Sequence, residues 1–227
     1  MKTEDYTNAE IQDWKMRIAG SASDNYGHFP PTKSRIDLTG PTPVSFQGGG
    51  TKKALIKEML QAQTIEIPWI WVEDVEVQIE WRINDLERYE YPKTPDLDNI
   101  LKPIIDALCG PNGIIIDDCQ IVSITATCLG GFVEGYNGFD VSLFFPDIYF
   151  QNNRYILKNN LEFVDIGQGL FVPIDRLSSQ NNEYIKKFLV WANSRHANRD
   201  EGSMMLNRFY HKSRVMDFKQ VPAHNYL

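Results

Sequence analysis

Two aspartates stand one residue apart in Thr94-Pro95-Asp96-Leu97-Asp98-Asn99, and Lys102 follows one helical turn later. A second acidic pair, Asp117-Asp118, ends the apolar run Ile114-Ile115-Ile116, which itself follows the turn Gly110-Pro111-Asn112-Gly113. Carboxylate oxygens are the donors a hard divalent cation takes, and magnesium in such a set keeps several waters. With an ammonium beside it, an ion held this way is equipped for phosphodiester cleavage. No other part of the 227 residues offers a set as specific.

An ordinary helix start is the competing reading. Asp96 would be its N-cap, Asp98 would complement the helix dipole, and Lys102 would pair with Asp98 at i,i+4. Three features favour chemistry. Pro103 inside the helix removes a backbone bond at a cost of about 3 kcal/mol, which suits a helix start placed for another purpose. Asp117 and Asp118 repel one another unless a cation or basic groups lie between them. Lys102 sits one turn beyond the aspartates, within reach of a phosphate bound by the metal.

The elements that must position these groups are partly legible. Thr7-Asn8-Ala9-Glu10 has capping-box spacing ahead of Ile11, Trp14 and Ile18, predicting a helix near residues 8–19. Gly20 to Gly40 reads as a loop or linker, and Pro43 to Gln47 as a short strand. Leu55, Ile56, Met59 and Leu60 share one face of a helix that carries Lys52, Lys53 and Lys57 off that face. The glycines before it lack phosphate-loop spacing.

Val75, Val77, Ile79, Trp81 and Ile83 alternate with polar residues as a half-buried strand. Leu97 to Leu108 forms the next helix. Ile121–Leu129 and Phe139–Phe145 read as two strands of a hairpin with a long glycine-rich loop. Past Pro146 the pattern weakens to one or two strands. A helix then follows, capped by Ser178 or Ser179 and containing Tyr184, Ile185, Phe188, Leu189 and Trp191.

Composition bounds the answer. A chain that is 42% hydrophobic buries a sizeable core. No stretch approaches a membrane span, and the N-terminus lacks a signal peptide's apolar run, so a cytoplasmic protein with no membrane partner is expected. The three cysteines and four histidines have no zinc or disulfide spacing. Net charge is −7, which argues against a protein that coats nucleic acid, although metal-ligating carboxylates account for part of it. The charge is uneven: from Lys186 to Leu227 eight basic residues face three acidic ones, leaving +5 there and −12 in the first 185 residues.

The run D-L-D-N-I-L-K-P-I-I-D-A-L-C-G, a short loop and I-I-I-D-D-C-Q-I-V resembles the signature of the RusA family of Holliday-junction resolvases. The preceding P-V-S-F-Q and the lysine-bearing helix are similar to that family's N-terminal part. The resemblance covers residues 41–147, leaving residues 1–40 as an N-terminal extension and 148–227 as a C-terminal extension of unknown role, basic at its end. It implies an α+β fold, a small mixed sheet with helices packed on it.

It also implies a homodimeric, magnesium-dependent endonuclease acting on branched DNA such as four-way junctions. Manganese is expected to substitute for magnesium. The family's catalytic carboxylates fall on Asp96, Asp98 and Asp118, its essential lysine on Lys102, and Asp106 falls at a structural helix position. Asp117 remains an alternative to Asp118 as ligand. Lys52, Lys53 and Lys57 are candidate contacts to the DNA backbone. The chain departs from the family in being longer and more acidic, so a junction-binding protein with weak or repurposed nuclease activity is the alternative. A different D-x-D phosphotransferase is a third reading, against which stands the lack of a glycine-rich phosphate loop.

Overall fold

The computed structural model describes residues 35–43, 45, 50–92, 94–131, 137–144, 155–194 and 209–227. The predicted helix near residues 8–19 lies outside them. The central strand is β3 (Val75–Asn84), whose alternating side chains bury Val75, Val77, Ile79, Trp81 and Ile83. β3 has partner strands on both edges. β4 (Ile121–Gly131) runs parallel to it, with Val77 opposite Ile124, and β5 (Gly138–Phe144) runs antiparallel, with Val77 opposite Leu143. β1 (Arg35–Gly40) completes the sheet, whose order is β1-β5-β3-β4.

Three expectations are corrected here. The apolar runs after Ile121 do not form a hairpin, because β3 lies between β4 and β5. A glycine-rich link between two alternating runs carries no information about whether a third strand separates them. The stretch expected as a loop up to Gly40 ends in β1, where Ile36 and Leu38 are buried between exposed Asp37 and Thr39. The strand expected at Pro43–Gln47 is not found at Pro43 or Ser45, and Val44, Phe46 and Gln47 lie outside the described residues.

A parallel pair needs a long crossover. The connection from β3 to β4 carries α2 (Asp85–Glu90) and α3 (Leu97–Leu108). α3 packs on α1 (Gly50–Thr64), and both cover the sheet: Ile56 and Leu60 meet Ile104, Ala107 and Leu108 over Val75, Val77, Ile79, Val141 and Leu143. α3 ends at a tight reversal. Gly110 adopts φ +93°, which favours glycine, and a Cβ at Gly113 would lie 2.1 Å from the Leu108 carbonyl oxygen. The reversal lets the Ile114 N–H donate to Leu108 O at 2.8 Å, which lays Ile114-Ile115-Ile116 against the end of α3.

The C-terminal segment holds more structure than its weak periodicity predicts. β6 (Tyr155–Leu157) pairs antiparallel with β2 (Trp69–Trp71). A second sheet then forms in the order β10-β7-β8-β9 from β7 (Leu161–Asp165), β8 (Leu170–Asp175), β9 (Tyr210–His211) and β10 (Gln220–Pro222). α4 (Asn181–Ser194) lays Ile185, Phe188 and Ala192 on Val164, Ile166, Val172 and Ile174.

On its other side this sheet meets the end of β2 and the residue before the acidic pair through one apolar cluster. Phe163, Phe171, Tyr210 and Val215 pack with Ile70, Val72 and Ile116, and the Tyr210 hydroxyl donates to Val72 O at 3.3 Å. The whole is an α+β fold. Among the described residues no helix is long and apolar enough to cross a membrane.

Candidate active site

Asp96 is the N-cap residue of α3, yet its carboxylate makes no capping hydrogen bond, so the simple capping role does not account for it. Asp98 follows in the first turn, where the helix dipole favours negative charge. Both are exposed. Lys102 lies four residues beyond Asp98 and therefore shares its helix face. Its ion pairs, however, run elsewhere: Nζ is 2.7 Å from Asp106 Oδ1 and 2.8 Å from Asp118 Oδ2. Lys102 thus joins the two halves of the motif, sixteen residues apart in sequence.

Asp117 and Asp118 are presented by a capped 3₁₀ turn (Asp118–Gln120) that leads into β4. Asp117 accepts from the Cys119 N–H at 3.0 Å and forms a reciprocal capping box with Gln120. Gln120 is fully buried. Its Oε1 accepts the N–H groups of Ile116 at 2.6 Å and Asp117 at 3.1 Å. Its Nε2 donates to the carbonyls of Trp71 at 3.0 Å and Glu73 at 2.7 Å. One amide side chain therefore clamps the acidic turn to the end of β2.

The like charges of Asp117 and Asp118 are offset by two basic groups. Lys102 takes one oxygen of Asp118. Arg214, on a 3₁₀ turn (Lys212–Arg214) after β9, donates to Asp117 Oδ1 and lies 3.4 Å from Asp118 Oδ1. The hydrogen bond from Lys102, partly opposed by burial, holds the Asp118 carboxyl below its ordinary pKa, with Arg214 adding to the effect. Bonds to Asp106 and then Asp118 raise the Lys102 ammonium above its usual range, so it stays charged at any physiological pH. Cys109 below them is kept a neutral thiol, by burial first and by the acidic residues next.

Carboxylate oxygens are the hard donors that magnesium prefers, and two side-chain cations seated on Asp118 mark a place where positive charge is stabilised. In both respects the residues suit a divalent ion. Among the described residues no group of three or more acidic, histidine or cysteine side chains is gathered closely enough to hold one in this arrangement. Of the other sequence candidates, Lys57 is exposed and Lys53 half-buried on α1, while the Lys52 side chain lies outside the described residues.

The sequence pattern missed Arg214 and Gln120. The first stood within a basic tail with no local signal, 97 residues from Asp117. The second was the last of several polar residues between two apolar runs, with only its capping-box spacing from Asp117 to mark it.

The family model for endodeoxyribonuclease RusA matches residues 1–141, more than half of the chain and all of the acidic motif. The chain belongs to the RusA family. It therefore belongs with endodeoxyribonucleases that resolve DNA junctions. The RusA match begins at residue 1 and so takes in β1, which precedes the expected start of the core at residue 41. It stops within β5, leaving β6 to β10, α4 and Arg214 beyond the RusA region. Among curated proteins no sequence matches the chain closely enough to count as a relative.

Proposed function

We propose that this protein is a magnesium-dependent, structure-specific endonuclease that cuts branched DNA such as four-way junctions, with manganese able to replace magnesium. The observation that carries the reading is the Lys102–Asp118 bond, which brings the lysine of the first motif half against the carboxylate of the second. Asp96, Asp98 and Asp118 would hold the ion. When bound it supplies Lewis-acid polarisation of a phosphoryl oxygen and a lowered pKa for water.

Lys102, kept cationic by Asp106, donates to the phosphoryl oxygen on which charge develops. Asp118 is taken as the ligand because Lys102 of the first motif half bonds it, while Asp117 Oδ1 holds the turn together through the Cys119 N–H. Water adds to the phosphorus as the bond to the 3′ oxygen breaks, and that oxygen takes up a proton, leaving 5′-phosphate and 3′-hydroxyl ends. Lys52, Lys53 and Lys57 on α1 are proposed to contact the DNA backbone.

The experiment is cleavage of a synthetic four-way junction against linear duplex of the same sequence, with and without magnesium. Nicks confined to the junction and dependent on magnesium are expected. Binding without cutting would instead establish a junction-binding module.

The active form is proposed to be a homodimer joined through β4. This strand is an edge of the first sheet, paired with β3 alone among the described strands, and it exposes Val122, Ile124 and Leu129. A long apolar edge with unpaired backbone groups is a template for another chain. Light scattering is expected to give twice the 26.2 kDa chain mass for the wild type. Ile124→Lys is expected to give a monomer that retains its fold. A monomeric wild type at micromolar concentration would remove β4 from this role.

A further inference from the structure

We propose that Arg214, delivered by the C-terminal sheet, is a further residue of the nuclease site, whose guanidinium competes with a divalent cation for the Asp117–Asp118 carboxylates and so couples docking of the chain's last residues to metal binding. The inference rests on the reading of Asp118 as a metal ligand.

The turn that carries Arg214 is built into the fold on both sides. The Lys212 N–H donates to Gly169 O at 2.9 Å, ahead of it, and the next residue, Val215, is fully buried beside Ile116. The His211 ring accepts the Ser213 N–H at 3.3 Å. The guanidinium therefore arrives at the acidic pair from an anchored element and not from a loose tail.

The two oxygens of Asp118 face one side-chain cation each, Lys102 on Oδ2 at 2.8 Å and Arg214 on Oδ1 at 3.4 Å. A divalent ion on Asp118 brings two positive charges next to both. Each cation has a second carboxylate to retreat to: Lys102 has Asp106 at 2.7 Å, and Arg214 has Asp117. The Lys102 alternative lies on its own helix. The Arg214 alternative is the immediate neighbour of Asp118, so the guanidinium stays within a few ångströms of the incoming charge. Metal binding thus loosens the Arg214 contact, and by linkage the docked Arg214 weakens metal binding by the same factor. A guanidinium released at this position is a bidentate donor facing a DNA phosphate.

The test is manganese affinity, read as free ion by electron paramagnetic resonance, for the full-length wild type, Arg214→Gln and Arg214→Lys. Arg214→Gln is expected to bind manganese at least about fivefold more tightly, a coupling of ordinary size. Arg214→Lys, which keeps the charge, is expected to stay near the wild type. Adding magnesium to the wild type is expected to raise amide exchange in residues 209–216.

Equal or weaker binding by Arg214→Gln overturns the inference alone. Manganese bound by none of the three overturns it together with the metal reading of Asp118. Where Arg214→Gln does not fold, the wild-type exchange decides, and exchange in residues 209–216 unchanged by magnesium overturns the inference.

Discussion

Asp118→Asn is expected to cut a four-way junction at least ~100-fold more slowly than the wild type, while binding the same junction in calcium within a few-fold. Asparagine keeps the size of the side chain and an oxygen for Lys102, but removes the charge that a divalent ion needs. The side chain is half-exposed and its ion pairs with Lys102 and Arg214 are screened by solvent, so the fold loses about 1 kcal/mol or less. Asp98→Asn follows the same course for the same reason.

Asp117→Asn is the contrast. Its oxygen still accepts the Cys119 N–H, so activity falls less than in Asp118→Asn. Single-turnover cleavage with excess enzyme separates these cases, because it isolates chemistry from product release. Wild-type rates in Asp118→Asn would show that the second carboxylate of the site lies elsewhere.

The second large effect is on stability. Gln120→Leu removes an amide that satisfies two backbone N–H groups and two backbone carbonyls around the acidic turn. Leaving such buried groups without partners costs about 1–3 kcal/mol each, with water recovering part of it, so a net loss of about 3 kcal/mol is expected. For a chain of this size that lowers Tm by roughly 6–12 °C. Cleavage falls with it even well below Tm, because the turn presenting Asp118 has lost its clamp to β2. Calorimetry and junction cleavage on the same preparation check the two effects together. A stable Gln120→Leu with full activity would mean that the turn is held by its 3₁₀ geometry alone.

Much of the site was legible because it is local. Asp96, Asp98 and Lys102 lie within seven residues, and the i,i+4 spacing of Asp98 and Lys102 puts those two on one helix face. The alternation of Val75 to Ile83 and the helix over Leu97–Leu108 were equally plain, since each periodicity runs uninterrupted for several residues.

The unreadable parts are the long-range ones. Strand order around β3 depends on which edges of a sheet are filled, and no local pattern states that. β7 buries Leu161, Glu162, Phe163 and Val164 in succession, so it shows no alternation to read. Glu162 in that run is held ionised in spite of burial by Lys219 and Tyr226, partners more than fifty residues away. The Lys102 bond to Asp118 belongs to the same class, because that partner arrives where the chain returns, whereas Asp106 is a local i,i+4 partner.

The three isoleucines before the acidic pair divide their loyalties. Ile114 and Ile115 belong to the interior between α3 and the first sheet, whereas Ile116 belongs to the cluster it shares with Phe163, Phe171, Tyr210 and Val215. The region beyond the family match is therefore not an ornament that can be trimmed to obtain a minimal nuclease. A version ending near residue 147 would leave Ile70, Val72 and Ile116 facing water directly beside the acidic turn. Anyone miniaturising this enzyme has to redesign that face with polar side chains.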